Sequence, residues 1–194
     1  MMKIAVFASG NGSNFEAIQQ AIIEERLDAE IAMLVSDQPD CYAIERAKNH
    51  HIEIFSFFAK DYPAKEVYEL EITRLLKEKN IELIVLAGYM RIIGPVLMSH
   101  FENRIINIHP SLLPAFPGLH AIDQAYQYGV KVFGVTIHYV DTGIDTGKII
   151  AQDCFHVNEG ETIEEVETRI HQLEHQLYPE TIQKIINTTL CKKK

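Results

Sequence analysis

Apolar residues along this chain fall in short runs, separated by stretches with helical spacing. KIAVFA (Lys3–Ala8) predicts a buried strand. The loop SGNGSN follows, and FEAIQQAIIEE (Phe15–Glu25) repeats its apolar positions at the interval of an amphipathic helix. EIAMLVS (Glu30–Ser36) predicts a second strand, Tyr42–Asn49 a second helix, and IEIF (Ile52–Phe55) a third strand. Pro63 is expected to open a long helix reaching about Asn80, since proline is tolerated in a first turn. ELIVLA (Glu82–Ala87) and RIINIH (Arg104–His109) predict a fourth and a fifth strand. These runs are apolar throughout instead of alternating, as parallel strands covered on both faces are.

The pattern changes after Pro110. SLLPAFPG (Ser111–Gly118) holds two prolines and a glycine and reads as a loop, with a short helix at Ile122–Tyr128. VFGVTIHYV (Val132–Val140) and KIIAQDCFHV (Lys148–Val157) read as two paired strands joined by DTGIDTG. Thr162 and Glu165 form a capping-box pattern ahead of a last helix to about Asn187. No repeat, low-complexity tract or linker divides the chain, so one domain over residues 1–194 is expected. The fold class is α/β: a doubly wound, mostly parallel sheet with an antiparallel strand addition near the C-terminus.

Composition narrows the function. The 194 residues are 47% hydrophobic and 23% charged, as in ordinary globular proteins. A formal net charge of −9 works against nucleic acid or an anionic membrane as partner, so an anionic ligand must be held by local groups. No run approaches the ~20 apolar residues of a membrane span. The start lacks the length and flanks of a signal peptide. Cys41, Cys154 and Cys191 are an odd number without CxxC spacing, read as free thiols of a reducing, cytoplasmic compartment. The CKKK tail reads as solvated charge.

Three stretches carry candidate chemistry. GNGSN (Gly10–Asn14) lies between a strand and a helix, where glycines allow close backbone approach and free N–H groups can hold an anion. It completes neither GxxxxGKS/T nor GxGxxG, and from the residues alone an ordinary turn stays open. Ser13 with Glu16 fits a capping box. In NIHPSLLP, Asn107 and His109 are two apart at the end of a strand, hence on one face, where open α/β sheets bind ligands. An amide donor beside an imidazole suits attack on a carbonyl, and purely local hydrogen bonding is the alternative. DTGIDTG repeats the Asp-Thr-Gly triplet of aspartic proteases. That chemistry needs two facing carboxylates from separate loops, which Asp141 and Asp145 on one connection do not supply.

Taken in order, SGNGSN, LAGYMRIIGP (Leu86–Pro95), INIHPSLLPAFPGLHA (Ile106–Ala121), HYVDTGIDTGKIIAQ (His138–Gln152) and LEHQLYP (Leu173–Pro179) cover nearly the whole chain. Together they resemble the glycinamide ribonucleotide formyltransferases. These are folate-dependent enzymes of de novo purine synthesis, with a Rossmann-like formyltransferase fold. The Asn-x-His-Pro-Ser-Leu-Leu-Pro core is shared by enzymes that use formyltetrahydrofolate, while GNGSN and PGLH select the subfamily. The resemblance implies transfer of the formyl group of 10-formyltetrahydrofolate, a co-substrate, to the amine of glycinamide ribonucleotide, with no metal. It implies Asn107, His109 and Asp145 as the catalytic set. It places the substrate phosphate on Gly12, Ser13 and Asn14 and the ribose at Glu174. It places the folate against Met90, Arg91, Ile92, Ile93 and Asn107, with its glutamate tail near Lys65, where the family pattern has Arg.

Simpler readings stand beside these. Asp141 reads as a turn residue. Met90, Ile92 and Ile93 fit core packing and Lys65 an exposed helix, while His120 and His138, which also match the family motifs, read as structural or as supporting the site's own residues. His171 departs from the Gln expected there and is not counted in the site. HQLEH (His171–His175) has the HxxEH spacing of zinc peptidases but lacks a third histidine downstream. A formyltetrahydrofolate hydrolase would use the same Asn, His and Asp. A methionyl-tRNA formyltransferase would need a further RNA-binding domain, and a nucleotide-binding module would leave the Asn–His–Asp set unexplained. The expected partners are two small molecules, with no nucleic acid and no membrane. Monomer and homodimer are both open.

Overall fold

The computed structural model describes residues 1–192; the last two lysines of the basic tail, Lys193 and Lys194, lie outside the described residues. Seven strands form one sheet in the order β3-β2-β1-β4-β5-β6-β7. They are β1 (Met2–Phe7), β2 (Ala29–Ser36), β3 (Ile54–Ser56), β4 (Leu83–Leu86), β5 (Ile105–His109), β6 (Val132–Tyr139) and β7 (Ile149–His156). Pairings among β1 to β5 are parallel, and β6 and β7 add antiparallel. The expected doubly wound, mostly parallel sheet with an antiparallel C-terminal addition is the fold observed. The chain winds outward from β1 in both directions, so the switch point lies between β1 and β4, where ligands bind such sheets.

Two-residue periodicity divides the strands between two cores. Ile4 and Val6 of β1 and Val85 of β4 face one side; Ala5, Phe7, Ile84 and Leu86 face the other. The first side is covered by α1 (Ser13–Ile23), α2 (Tyr42–Asn49), α5 (Ala121–Tyr128) and α6 (Ile163–Lys192). The second is covered by α3 (Lys65–Glu78) and α4 (Pro95–His100). Both faces are therefore dry, which is why the strands read as continuous apolar runs. In β2 the alternation breaks where the register with β1 shifts, from Ile4↔Ile31 to Ala5↔Met33. Ala32 is the extra residue of this bulge.

Helix ends depart from the expectations where partners are distant. Pro63 does not open α3; Ala64 is its N-cap and Lys65 its first residue. The strand-and-helix pattern did not predict α4, whose six residues begin with Pro95. Its N-terminus is capped by Glu69 of α3, which accepts from the N–H groups of Gly94 and Leu97 and is 1% exposed. The Thr162–Glu165 capping box forms reciprocally, with Thr162 N–H donating to Glu165 and Glu165 N–H to the Thr162 hydroxyl. No helix among the described residues is long and apolar enough to cross a membrane.

Tyr178 fastens α6 to the sheet. Its fully buried hydroxyl donates to the carbonyls of Leu86 (2.7 Å) and Ile106 (3.3 Å), at β4 and β5. Burial, with Glu174 adding to it, holds the phenol well above its ordinary pKa, so it remains a donor. Tyr178→Phe is expected to lower unfolding free energy by about 1–2 kcal/mol, read from the denaturant midpoint, because a buried hydrogen bond is lost without a large cavity.

Candidate active site

The loop after β1 is shaped by close approach. Gly12 is the N-cap of α1 at φ 75°, and a Cβ there would lie 2.7 Å from the Cβ of Ala43. Glycine thus meets both a left-handed backbone and a tight contact with α2. Arg46 of α2 fixes the loop by donating to the Asn11 carbonyl (3.0 Å) and its side-chain oxygen (3.1 Å). The expected Ser13–Glu16 capping box does not form, and no side chain caps this helix. Glu16 instead meets Arg46 (3.3 Å) and His50 (2.8 Å), so its carboxylate is turned to basic partners on the α2 side. The first-turn N–H groups are left for an external acceptor. Asn14 donates through Nδ2 to Glu174 Oε2 at 3.0 Å, which brings Gly12, Ser13, Asn14 and Glu174 together.

A second group gathers at the end of β5. Asn107 and His109 share a face, and the antiparallel pairing sets His138 of β6 directly opposite Asn107. Asp145 reaches them from the β6–β7 connection. Its Oδ2 lies 3.3 Å from His109 Nδ1 and accepts from the Gly118 N–H at 2.8 Å. Its Oδ1 lies 3.5 Å from both Asn107 Nδ2 and His138 Nε2. His138 is thus part of the cluster, in a supporting place that its reading as a structural or site-supporting histidine included. Its Nδ1 faces the Tyr139 carbonyl at 2.9 Å, and its Nε2 lies 3.3 Å from Asn107 Nδ2. With a proton on each ring nitrogen, His138 donates to the Tyr139 carbonyl and to Asp145, and one Asn107 N–H is left for an outside acceptor. His109 differs: Nε2 faces the Phe116 carbonyl at 2.8 Å and Nδ1 faces Asp145, so both nitrogens find acceptors when the ring carries two protons.

The loop 110–118 supplies two of these contacts and is held from below by Thr136, which is fully buried. The Thr136 hydroxyl donates to the Ser111 carbonyl (2.7 Å) and accepts from Leu113 N–H (3.0 Å) and Gln152 Nε2 (2.9 Å). All of its hydrogen-bonding capacity is used. The Leu113–Pro114 peptide is cis. Asp141 folds the other loop: its Oδ1 accepts from Gly143 N–H (3.0 Å) and the Thr146 hydroxyl (2.7 Å). The two Asp-Thr-Gly triplets therefore differ in placement. Asp141 organises the turn, and Asp145, at φ 55°, enters the cluster.

The expected folate segment lies after β4 and borders both groups. Met90 N–H donates to the Ser9 hydroxyl (2.9 Å), which donates to Asp37. Arg91 Nε donates to the other oxygen of Asp37 at 2.9 Å. Met90 and Ile92 are 67% and 65% exposed, so they are not core residues, whereas Ile93 is buried against α3 and α4. Lys65 stands beside Gly94, at the far end of the segment. The two sides of the switch point are thereby tied by one buried carboxylate. Among the described residues no group of three His, Cys, Asp or Glu side chains is arranged to hold a metal ion. His171 and His175 instead stack at 6.3 Å, with His171 on Glu174.

Comparison with known proteins gives the family. The family described as formyl transferase matches residues 2–182, so the chain belongs to that family. It is 53% identical over 186 residues to a Bacillus subtilis phosphoribosylglycinamide formyltransferase, covering 96% of this chain and 95% of that one. The crystal structure of a phosphoribosylglycinamide formyltransferase from Bacillus halodurans superposes with a TM-score of 0.92 at 53% identity, covering 95% of each chain. That of glycinamide ribonucleotide transformylase 1 from Geobacillus kaustophilus gives 0.93 at 54% identity, covering 95% and 98%.

Burial raises the pKa of the Asp145 carboxyl, but the His138 hydrogen bond, the Gly118 N–H and the charges of His109 and His138 outweigh it. The net result lies below the usual carboxylate range. A depressed folded-state pKa contributes stability above the unfolded value of about 3.9, lost as pH falls through the folded value. The stability difference between wild type and Asp145→Asn is therefore expected to shrink as pH falls between about pH 5 and pH 2. Denaturant unfolding across that range measures it.

Proposed function

We propose that this member of the formyl transferase family transfers the formyl group of 10-formyltetrahydrofolate to the amine of glycinamide ribonucleotide, with residues 1–194 acting as one catalytic domain. The observation that carries the reading is the convergence on Asp145 of Asn107, His109 and His138, next to a helix start built for an anion. The phosphate lies on the Gly12, Ser13 and Asn14 backbone, and Glu174 accepts from the ribose hydroxyls. The donor's flat ring packs on Met90 and Ile92 beside Arg91, with the buried Ile93 only supporting that segment from the core, and its glutamate tail meets Lys65. Lysine attracts such a group without the bidentate fork of arginine.

In the reaction, the substrate nitrogen forms a bond to the formyl carbon and the carbonyl π pair moves to oxygen. Asn107 Nδ2 donates to that oxyanion. His109, its ring nitrogens turned to Phe116 and Asp145, contributes positive charge to the site, not a free N–H. Asp145 favours the charged ring by Coulomb attraction and holds it in place. When the oxyanion collapses, the bond from carbon to folate N10 breaks, and the proton lost by the attacking amine ends on N10. Water or the Asp145 group carries that proton. No covalent intermediate is involved. The cysteines play no part; Cys154 and Cys191 are exposed, and Cys41 lies against Ser36, away from the cluster.

Mixing the protein with 10-formyltetrahydrofolate, with and without glycinamide ribonucleotide, tests the reading. Acceptor-dependent loss of the formyl group is expected; formate release without acceptor would instead make the protein a hydrolase of the same folate. Asn107→Ala and Asp145→Asn are each expected to slow turnover by roughly 100-fold or more, the cost of losing one oxyanion donor or its charge partner. Near-normal rates in both variants would remove the assignment.

A further inference from the structure

The helix-start site holds an uncompensated feature: a buried carboxylate beside a place suited to an anion. Glu174 is 5% exposed and 3.0 Å from Asn14 Nδ2, in the first turn of α1. Were that carboxylate alone, a phosphate bound at the same turn would meet like charge in a partly desolvated setting, which is costly. The Glu174 oxygen that meets Asn14 also lies 3.1 Å from His171 Nδ1, one turn earlier on α6. The His171 side chain is 54% exposed, so its ring sits between the buried carboxylate and solvent.

We propose that His171, in its doubly protonated form, cancels the charge of Glu174 beside the anion site and so sets the affinity for phosphorylated substrate according to pH. The proposal rests on the assignment of the phosphate and ribose to the Gly12–Asn14 turn and Glu174. His171 acts through Glu174 and is a positioning residue for charge. In either protonation state its Nδ1–H can donate to Glu174. Only the imidazolium leaves the pair neutral; the neutral ring leaves one negative charge facing the phosphate.

The surrounding charges set the direction of titration. The hydrogen bond from His171 to Glu174 raises the ring's pKa, burial opposes this, and the charges of Glu174 and Glu167 add to the rise. His175, stacked on His171, is pushed the other way, first by burial and then by the charges of His171 and Arg46, against an opposing pull from Glu174. The two shifts run in opposite directions, so positive charge is favoured on His171 and disfavoured on His175. Because the His171 pKa is raised, the charged form persists below the usual histidine value and is lost above the raised one. Weakened phosphate binding therefore belongs to the alkaline side of about pH 6.5.

Ribose 5-phosphate is a suitable probe, since it carries the phosphate and ribose without an amine, and its phosphate is dianionic above about pH 7. Its direct binding by calorimetry is compared at pH 7 and pH 9 for wild type, His171→Gln and His171→Arg. Wild-type Kd is expected to weaken on the order of 10-fold across that interval, as one neighbouring charge is uncovered. His171→Gln keeps a donor to Glu174 but does not titrate, so it should be weak and nearly flat. His171→Arg should stay tight at pH 9. An equal pH dependence in wild type and His171→Gln, or no binding of the probe at either pH, overturns the proposal. The turnover assay with both substrates judges the formyl-transfer reading separately, because the probe experiment requires no chemistry.

Discussion

A carboxylate taken out of water must find partners, and Asp145 finds four. Around it the structure arranges two histidines, an amide and a backbone N–H from three separate segments. Apart from His138, seven residues earlier, each lies 27 or more residues from it in sequence, so the cluster exists only once the sheet is complete. The antiparallel turn of β6 back along β5 is the decisive topological step. It places His138 opposite Asn107 and aims the β6–β7 connection at the end of β5. Thr136, on the same strand, then holds the loop that offers Phe116 and Gly118. The site is thus a consequence of strand register, and its precision derives from buried hydrogen bonds with no spare valence.

The same economy operates on the other side of the switch point. Asp37, 3% exposed at the end of β2, accepts from Ser9 after β1 and from Arg91 after β4. One buried carboxylate thereby ties together the loops assigned to the two substrates. Glu16 and Arg46 do the equivalent work between α1 and α2. Burying charge is costly unless it is paired and hydrogen-bonded, and here the pairings fall where the loops most need fixing.

Much of this could be read along the chain because local pattern governs it. The strand runs, the Gly12 turn, the Thr162 cap and the shared face of Asn107 and His109 depend on neighbours a few residues away. What escaped depends on distant partners. The cap of α4 comes from Glu69, 25 positions before Gly94, so Pro95 is the one local start signal and no neighbouring side chain caps the helix. Glu16 fits a capping box in sequence, yet an arginine 30 residues on and a histidine 34 on take its carboxylate. His138 read as structural or supporting, without a fixed place, because its position opposite Asn107 follows from a register 31 residues apart. A histidine on an apolar strand that follows a strand ending in Asn-x-His was the available signal.

Glu69 has an implication for reshaping the donor side. Its carboxylate fills the space where a side chain on Gly94 would project, with Lys65 closing the remainder, although the backbone there, at φ −96°, would accept any residue. Gly94 is therefore frozen by volume alone, whereas Met90 and Ile92, four and two positions earlier, point outward with room to vary. Attempts to accommodate bulkier or differently charged pterin analogues have freedom at those two positions and almost none at the third.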